Sequence, residues 1–295
     1  MGWKWEHSEN TTTLPVDFCR DLYIFDMQYV NSKLSRIPAE DNKVIWQRTD
    51  DKRCFLIPID IINQLPNNNL FRDIIACISQ MYLDDKCPNS NVIITSIRKL
   101  ADNIGIAING EKSKEIEDVL RFARLYTIYN QSIRKIQNGK IIQCSATFGF
   151  IESVVKETQV DGKQINSRLA KNHIKLNDIY AGILRESRIP KAPIPVSALQ
   201  AANRAKRKLI TPSKNLIYRL AALVPPKKPT VEFSIVKLRE VIGYRETRKD
   251  RLKRSIENVL EVLYPVMIRD YIYEDRNQKY IITLSGSLNK YVKTI

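Results

Sequence analysis

The sequence predicts an α+β protein built from two copies of one unit, in which helices are followed by strands. Three observations predict it. A stretch of the chain repeats at nearly constant spacing, each copy carries residues that begin and end two consecutive helices, and each copy continues into residues typical of a β-hairpin. Because 295 residues exceed the usual size of one domain, two compact domains are expected.

The repeat is visible without gaps over thirteen residues. Residues 93–105, IITSIRKLADNIG, align on residues 231–243, VEFSIVKLREVIG, at an offset of 138 with six identical positions. After an indel of two residues, IEDVL at 116–120 matches IENVL at 256–260. An internal duplication of one structural unit explains both matches.

Each copy is expected to form a short helix, a turn and a longer helix. A Thr or Ser can cap a helix of about nine residues, which stops at Gly105 or Gly243, the residue type favoured just past a helix end. The longer helix has one apolar face at helical spacing: Ile116, Val119, Leu120 and Ala123 in the first copy, and Leu252, Ile256, Val259, Leu260 and Leu263 in the second. The two helices make a helix-turn-helix, and a further helix precedes each copy, from Leu70 and from Lys214.

Strand residues follow the longer helix in both copies. In the first, YTIYNQSIRKIQ and KIIQCSAT flank Asn138-Gly139, a pair that supplies the positive φ angles of a tight hairpin. In the second, PVMIRDYIY and KYIITL flank EDRNQ. Helix, helix-turn-helix and hairpin is the order of a winged helix, so two tandem winged-helix domains are predicted. A second hairpin-like stretch with Asp161-Gly162 at its turn is expected to extend the sheet of the first domain.

The predicted division of the chain follows from these units. Residues 1–60 form a leader, disordered over the first ten residues, with strands that join the first domain; residues 61–187 form the first winged helix and 197–295 the second. Between them RIPKAPIPV, at 188–196, holds three prolines, which prevent regular helix and favour an extended linker.

Positive charge is concentrated in the second copy. The chain has a net charge of +16, and residues 187–295 hold 23 basic and 9 acidic residues, which leaves +14 there. Residues 187–231 contain ten basic residues and no acidic one. A solvated surface explains such a run equally well where it stands alone, as in AANRAKRKL, but beside a helix-turn-helix it favours a phosphate-binding surface.

The second helix of a helix-turn-helix enters the major groove, so its outer face is the candidate for reading bases. Projection at about 100° per residue places four residues outermost in the second copy, with three cations on the flanks: Thr247, Arg251, Arg254 and Asn258, and Arg248, Lys249 and Lys253. Arginine can pair with guanine and asparagine with adenine. Phosphate contacts are expected from Arg204, Lys206, Arg207, Lys208 and Lys214.

Three further expectations concern the same helices. In the first copy Lys114 and Arg121 share their face with Glu111, Glu117 and Asp118, so DNA contact and protein contact are both open there. Asp250 is expected to complete a capping box with Thr247. The tyrosines Tyr126, Tyr129, Tyr264, Tyr271 and Tyr273 are expected to pack in wings and cores.

No catalytic residue, metal site or cofactor is expected. With only His7 and His173, the paired histidines of rolling-circle nickases and any HExxH are absent. NGEKSK at 109–114 lacks the first glycine of a nucleotide-binding loop. Five cysteines without a CxxC suit a reduced compartment, and no apolar stretch reaches the roughly 18 residues of a membrane span, so a cytoplasmic, plasmid- or nucleoid-associated protein is expected.

Three segments carry a family resemblance. PNNNLFRDIIA at 66–76, NHIKLNDIYAGIL at 172–184 and KRKLITPSKNLIYRLAAL at 206–223, in this order around the two repeats, resemble the two-winged-helix plasmid replication initiators of the TrfA-like, iteron-binding Rep kind. The resemblance spans roughly residues 60–285 and rests on apolar and capping patterns.

The resemblance implies a function and partners. Such proteins bind direct repeats, called iterons, at an origin, help to melt an adjacent AT-rich segment, and recruit a host helicase, helicase loader or initiator. Their second winged helix reads bases, whereas the first contributes to a homodimer and to weaker DNA contact, and no cofactor is implied. A winged-helix transcriptional regulator and a non-catalytic interaction module of a mobile element's replication or segregation complex are the alternatives that the residues leave open.

Overall fold

A computed structural model describes most of the chain: residues 11–15, 34–38, 43–48, 54–58, 68–125, 127–137, 140–160, 162–186, 191–223 and 230–285. The chain divides into two compact units. The first unit is Asp21–Ile189, and the second unit is Pro190–Ile295 together with Met1–Arg20. Within the described ranges the structure has eight α-helices and fifteen β-strands.

The helices are α1 (Asn68–Asp84), α2 (Ile97–Asn103), α3 (Gly110–Leu125), α4 (Asp178–Arg185), α5 (Val196–Arg204), α6 (Arg207–Leu223), α7 (Ile235–Ile242) and α8 (Lys249–Leu263). The strands are β1 (Thr11–Pro15), β2 (Leu34–Pro38), β3 (Lys43–Arg48), β4 (Cys54–Pro58), β5 (Val92–Ser96), β6 (Thr127–Gln137), β7 (Lys140–Gly149), β8 (Ile151–Lys156), β9 (Gln159–Val160), β10 (Lys163–Gln164), β11 (Lys171–Leu176), β12 (Lys191–Pro195), β13 (Thr230–Ser234), β14 (Ile268–Glu274) and β15 (Lys279–Leu284). None of the helices in the described ranges combines the length and apolar character that a membrane crossing requires.

The second unit is a winged helix. Its elements run α6, β13, α7, α8, β14 and β15, and the three strands form an antiparallel sheet in the order β13-β15-β14. Helix α8 packs against α5, α6 and α7. The buried residues of α8 are the five that the apolar spacing predicts: Leu252, Ile256, Val259, Leu260 and Leu263. The prediction of a helix-turn-helix followed by a hairpin is confirmed for this copy.

The first unit contains the same arrangement. Elements α1, β5, α2 and α3 are followed by β8 and β11, and the sheet order β5-β11-β8 matches β13-β15-β14 in the second unit. The caps also match, since Ser96 Oγ accepts the Lys99 N–H at 3.1 Å and Ser234 Oγ accepts the Lys237 N–H at 3.2 Å. The fold class is therefore the predicted one, an α+β protein with two winged-helix units of one repeated design.

The wing of the first unit is not the hairpin that the sequence favours. Strands β6 and β7 pair with each other and join β2, β3 and β4 in a separate five-stranded sheet, whereas β8 and β11 form the sheet with β5. The Asn-Gly pair predicts a turn, but the sheet a hairpin enters depends on distant pairing, here between Cys54–Leu56 and Thr127–Tyr129. The turn residues Asn138 and Gly139, and Asp161 of the second turn, lie outside the described residues.

The segment predicted as a linker includes a strand. Residues Lys191–Pro195 form β12, which pairs antiparallel with β1, and Ala192 and Ile194 are buried. The prolines favour extended backbone as expected, and a two-stranded sheet tolerates them because each strand has a free edge that needs no N–H donor. The leader is likewise divided, since β1 belongs to the second unit whereas β2, β3 and β4 belong to the first. Residues 1–10, predicted to be disordered, lie outside the described residues.

Candidate nucleic-acid interface

A glycine in the left-handed backbone conformation ends the first helix of the second unit's helix-turn-helix. Gly243 ends α7 with φ 77°, and its N–H reaches the Arg239 carbonyl at 3.0 Å and the Glu240 carbonyl at 3.3 Å. The Tyr244 N–H donates to the same Arg239 carbonyl at 3.1 Å. Glycine adopts this conformation without strain, and the chain turns over the six residues from Gly243 to Arg248 before α8 begins at Lys249.

Helix α8 presents polar residues opposite its buried face. Thr247, Arg251, Arg254 and Asn258, predicted to read bases, are exposed, and so is the flanking Arg248. The face behind them is closed, because Ile256, Val259, Leu260 and Leu263 have no exposed surface. The guanidinium groups of Arg251 and Arg254 and the amide of Asn258 are therefore exposed to solvent on a helix whose opposite face is buried.

A carboxylate precedes this helix. Glu246 Oε1 accepts the N–H groups of Arg248 at 2.9 Å and Thr247 at 3.0 Å. The Arg248 N–H is the main cause that lowers the pKa of Glu246, with smaller contributions from the Thr247 N–H and from the charges of Arg251 and Arg248. The predicted capping box is wrong: the N-cap is Arg248, with no side-chain cap, and Thr247 lies one residue before it because Glu246 already binds these N–H groups.

Two of the predicted flanking cations contact the wing, the β14–β15 hairpin of the second unit. Lys253 Nζ lies 4.5 Å from the centroid of the Tyr273 ring, and Lys249 Nζ lies 3.5 Å from Asp275 Oδ1. The Lys249 pair is largely exposed, so it contributes little stability. Lys253 is half-buried, and its ammonium faces an aromatic ring.

Four of the five predicted phosphate contacts lie together at the turn between α5 and α6. Arg204 ends α5, Lys206 lies between the helices, and Arg207 and Lys208 begin α6; all four are exposed. Lys214 differs, because only 3% of it is exposed. Helix α6 begins seven residues earlier than expected and buries every residue from Pro212 to Tyr218, so Lys214 is not displayed with the other four.

Among the exposed charged residues of the second unit that were not predicted as site residues, three lie on or close to α8 and the wing turn. Arg245 lies in the turn before α8, Arg276 lies in the β14–β15 turn, and Glu261 lies on α8 one turn beyond Asn258. The signal for Arg276 was present, since it stands within EDRNQ, the stretch predicted to be the hairpin turn. Glu261 falls within the same helical projection that selects Arg254 and Asn258.

The equivalent face of the first unit is more acidic at two matched positions. With the offset of 140, Glu111 corresponds to Arg251 and Asp118 to Asn258, and both acidic residues are exposed. Lys114 and Arg121 are exposed on the same helix. Glu117 Oε1 is bound by Lys156 Nζ of β8 at 2.7 Å. Helix α3 therefore displays a mixed surface in place of a cationic one.

No group of three or more His, Cys, Asp or Glu side chains in the described part of the chain is placed to hold a metal ion.

Comparison with known proteins finds likeness at the level of structure only. No family model matches the chain, and no curated protein matches its sequence. The crystal structure of domains 2-3 of RctB matches with a TM-score of 0.43 at 10% identity, covering 87% of this chain and 92% of that one. The crystal structure of the Pi initiator protein in complex with iteron DNA matches with a TM-score of 0.44 at 11% identity, covering 74% of this chain and 93% of that one.

Proposed function

We propose that this chain is a sequence-specific double-stranded DNA-binding protein that initiates replication of a plasmid or other mobile element, and that α8 of the second unit reads the site. The observation that carries the proposal is the outer face of α8. Arg251, Arg254 and Asn258 are exposed on one side of a helix whose other side is buried, directly after a left-handed turn. This is the geometry in which a helix can lie in the major groove.

The chemistry of these side chains suits base recognition. Arg251 and Arg254 can each donate two hydrogen bonds to O6 and N7 of guanine, and Asn258 can pair with N6 and N7 of adenine. Thr247 and Arg248, at the start of the helix, and Lys249 are suited to the flanking backbone. Phosphate contacts come from the exposed cations of the α5–α6 turn: Arg204, Lys206, Arg207 and Lys208.

The first unit takes a different part in this proposal. Glu111 and Asp118 would repel phosphates, whereas the matched Arg251 is cationic and the matched Asn258 is neutral, so Lys114 and Arg121 add at most weak DNA contact. We assign the first unit to homodimerisation and to contact with a host helicase, helicase loader or initiator. The family resemblance of the sequence supports this division of roles, as it supports origin melting next to direct repeats.

Selection of bound duplexes from a random pool tests the proposal on the full chain. We expect one recovered motif, which occurs as spaced repeats in an origin that replicates only when the protein is supplied. Repression of a neighbouring promoter without replication would identify a transcriptional regulator. Failure to bind any duplex at low salt would reject DNA binding and leave an interaction module.

A further inference from the structure

One face of the three-stranded β13-β15-β14 sheet packs against α8 and is rich in aromatic residues. The strand register places Phe233, Tyr280 and Tyr273 in one row across the sheet, with Val231, Ile282 and Tyr271 in the row two residues along. Phe233, Tyr280 and Ile282 are buried. The rings of Tyr273 and Tyr280 lie 4.8 Å apart, so the half-exposed Tyr273 is packed on a fixed neighbour.

Two side-chain contacts join this face to the polar flank of α8. The Tyr271 hydroxyl donates to Glu261 Oε1 at 2.5 Å, and Lys253 Nζ lies 4.5 Å from the Tyr273 ring centroid. Lys253 and Glu261 are eight residues apart, about 80° around the helix axis, and both contacts are with β14. Both contacts come from β14, the strand that leads directly into the turn carrying Arg276.

The two acidic residues at the β14–β15 turn are also paired. Asp275 pairs with Lys249 at 3.5 Å, and Glu274 is bound by Lys279 at 3.4 Å and by the Asn277 amide at 2.9 Å. Arg276 is exposed beside these paired groups. The Arg276 guanidinium is therefore the charge of this turn that can bind a polyanion. Its position depends on how β14 packs against α8.

We propose that Tyr271 with Glu261, and Tyr273 with Lys253, form a clamp that positions the wing so that Arg276 and the outer face of α8 engage one duplex together. Lys253 then acts through the wing and does not contact phosphate. The four residues are positioning residues. The inference rests on the proposed DNA-binding function and deepens it, because it assigns Arg276 to the interface and removes Lys253 from it.

A double-mutant cycle on the full chain, with the selected duplex, tests the clamp. Tyr271→Phe removes one hydroxyl and keeps the ring, and Lys253→Met keeps most of the length and removes the charge. Each is expected to weaken binding about three- to ten-fold in the presence of Arg276, and to have no further effect in an Arg276→Ala background, because both act through Arg276. Tyr264→Phe, on a half-exposed tyrosine outside the clamp, is the matched control and should leave the affinity unchanged.

The salt dependence separates the clamp from a direct contact. If Lys253 bound a phosphate itself, Lys253→Met would reduce the slope of log K against log salt by about 0.9 in both backgrounds. The clamp requires no change in the Arg276→Ala background. Equal losses in both backgrounds, or an Arg276→Ala variant that binds like the unmodified protein, would overturn the clamp. The proposed function has a separate test. It fails if Arg251→Ala binds the selected duplex as tightly as the unmodified protein does.

Discussion

At the scale of single residues, the basic side chains of the second unit differ in what they can recognise. A guanidinium presents a planar fork of donors that matches two acceptors on guanine, whereas a lysine ammonium is a point charge that attracts any phosphate. Arg251 and Arg254 lie on the outer face of α8, and Lys206 lies at the α5–α6 turn; all three are exposed. Their replacement should therefore affect specificity and affinity differently.

Replacing Arg251 or Arg254 by Ala should cost about 1–3 kcal/mol for the selected duplex and little for random DNA, because base contacts are lost. Lys206→Ala should weaken both duplexes alike and reduce the salt slope by about 0.9, because one phosphate contact is lost. Competition binding over a range of salt concentrations measures both effects. Equal losses on random DNA for all three variants would show that α8 does not read sequence.

Helical period accounts for some of these positions and not for others. The apolar face of α8 was predictable because helical period alone defines it, and the exposure of Arg251, Arg254 and Asn258 follows from the same period. Lys214 and Lys253 were not predictable. The burial of Lys214 depends on the residues that pack around α6, and the position of Lys253 depends on Tyr273, twenty residues further along the chain. Local sequence patterns do not determine contacts between residues so far apart in the chain.

At the scale of elements, Gly243 determines how α8 is presented. Gly243→Ala should destabilise the second unit by about 1–2 kcal/mol, since a Cβ is disfavoured in the left-handed region. The cause is the backbone alone, because the added Cβ would meet only Asn215 Nδ2 at an ordinary 3.8 Å. Gly182→Ala is the matched control: it lies within α4 with nothing within 4 Å of the added Cβ, and should stabilise by about 0.5–1 kcal/mol. Urea unfolding midpoints of both variants decide, and a Gly243→Ala protein as stable as the original would contradict the strain argument.

The repeated serine caps give a second prediction for elements. Ser96→Ala and Ser234→Ala should each lower the stability by about 1 kcal/mol, because each leaves one N–H at the start of α2 or α7 without its acceptor. Aspartate at either position can accept the same bond and should restore most of the loss. Thermal unfolding of the four variants measures this. Alanine variants that unfold at the original temperature would show that solvent replaces the cap at no cost.

Among these elements, the helix caps could be predicted from the sequence, whereas the wing of the first unit could not. A cap depends on residues three positions apart, and Ser96 and Ser234 carry that information within the repeat. The hairpin β6–β7 satisfies every local rule for a wing, yet β4 recruits it into another sheet. Local rules specify that two strands pair with each other; only the rest of the chain specifies their further neighbours.

At the scale of the whole molecule, one architecture carries two different surfaces. The buried positions of α3 and α8 agree at the offset of 140, since Ile116, Val119 and Leu120 match Ile256, Val259 and Leu260. The exposed positions disagree in charge, with Glu111 and Asp118 where α8 has Arg251 and Asn258. Because the packing is shared, outer-face residues can be exchanged between the units without disturbing either core.

This exchange provides the test of the division of roles. Arg251→Glu with Asn258→Asp gives α8 the residues of α3, and should reduce affinity for the selected duplex more than about 100-fold, because two base contacts are lost and two negative charges face phosphate. Glu111→Arg with Asp118→Asn makes the reverse change and should alter that affinity less than about three-fold, since the proposal assigns no base contact to α3. Titration of labelled duplex, with unfolding curves to show that both proteins remain folded, measures the two effects. A loss of similar size from the reverse exchange would mean that both units read DNA, and that their difference in charge does not divide their functions.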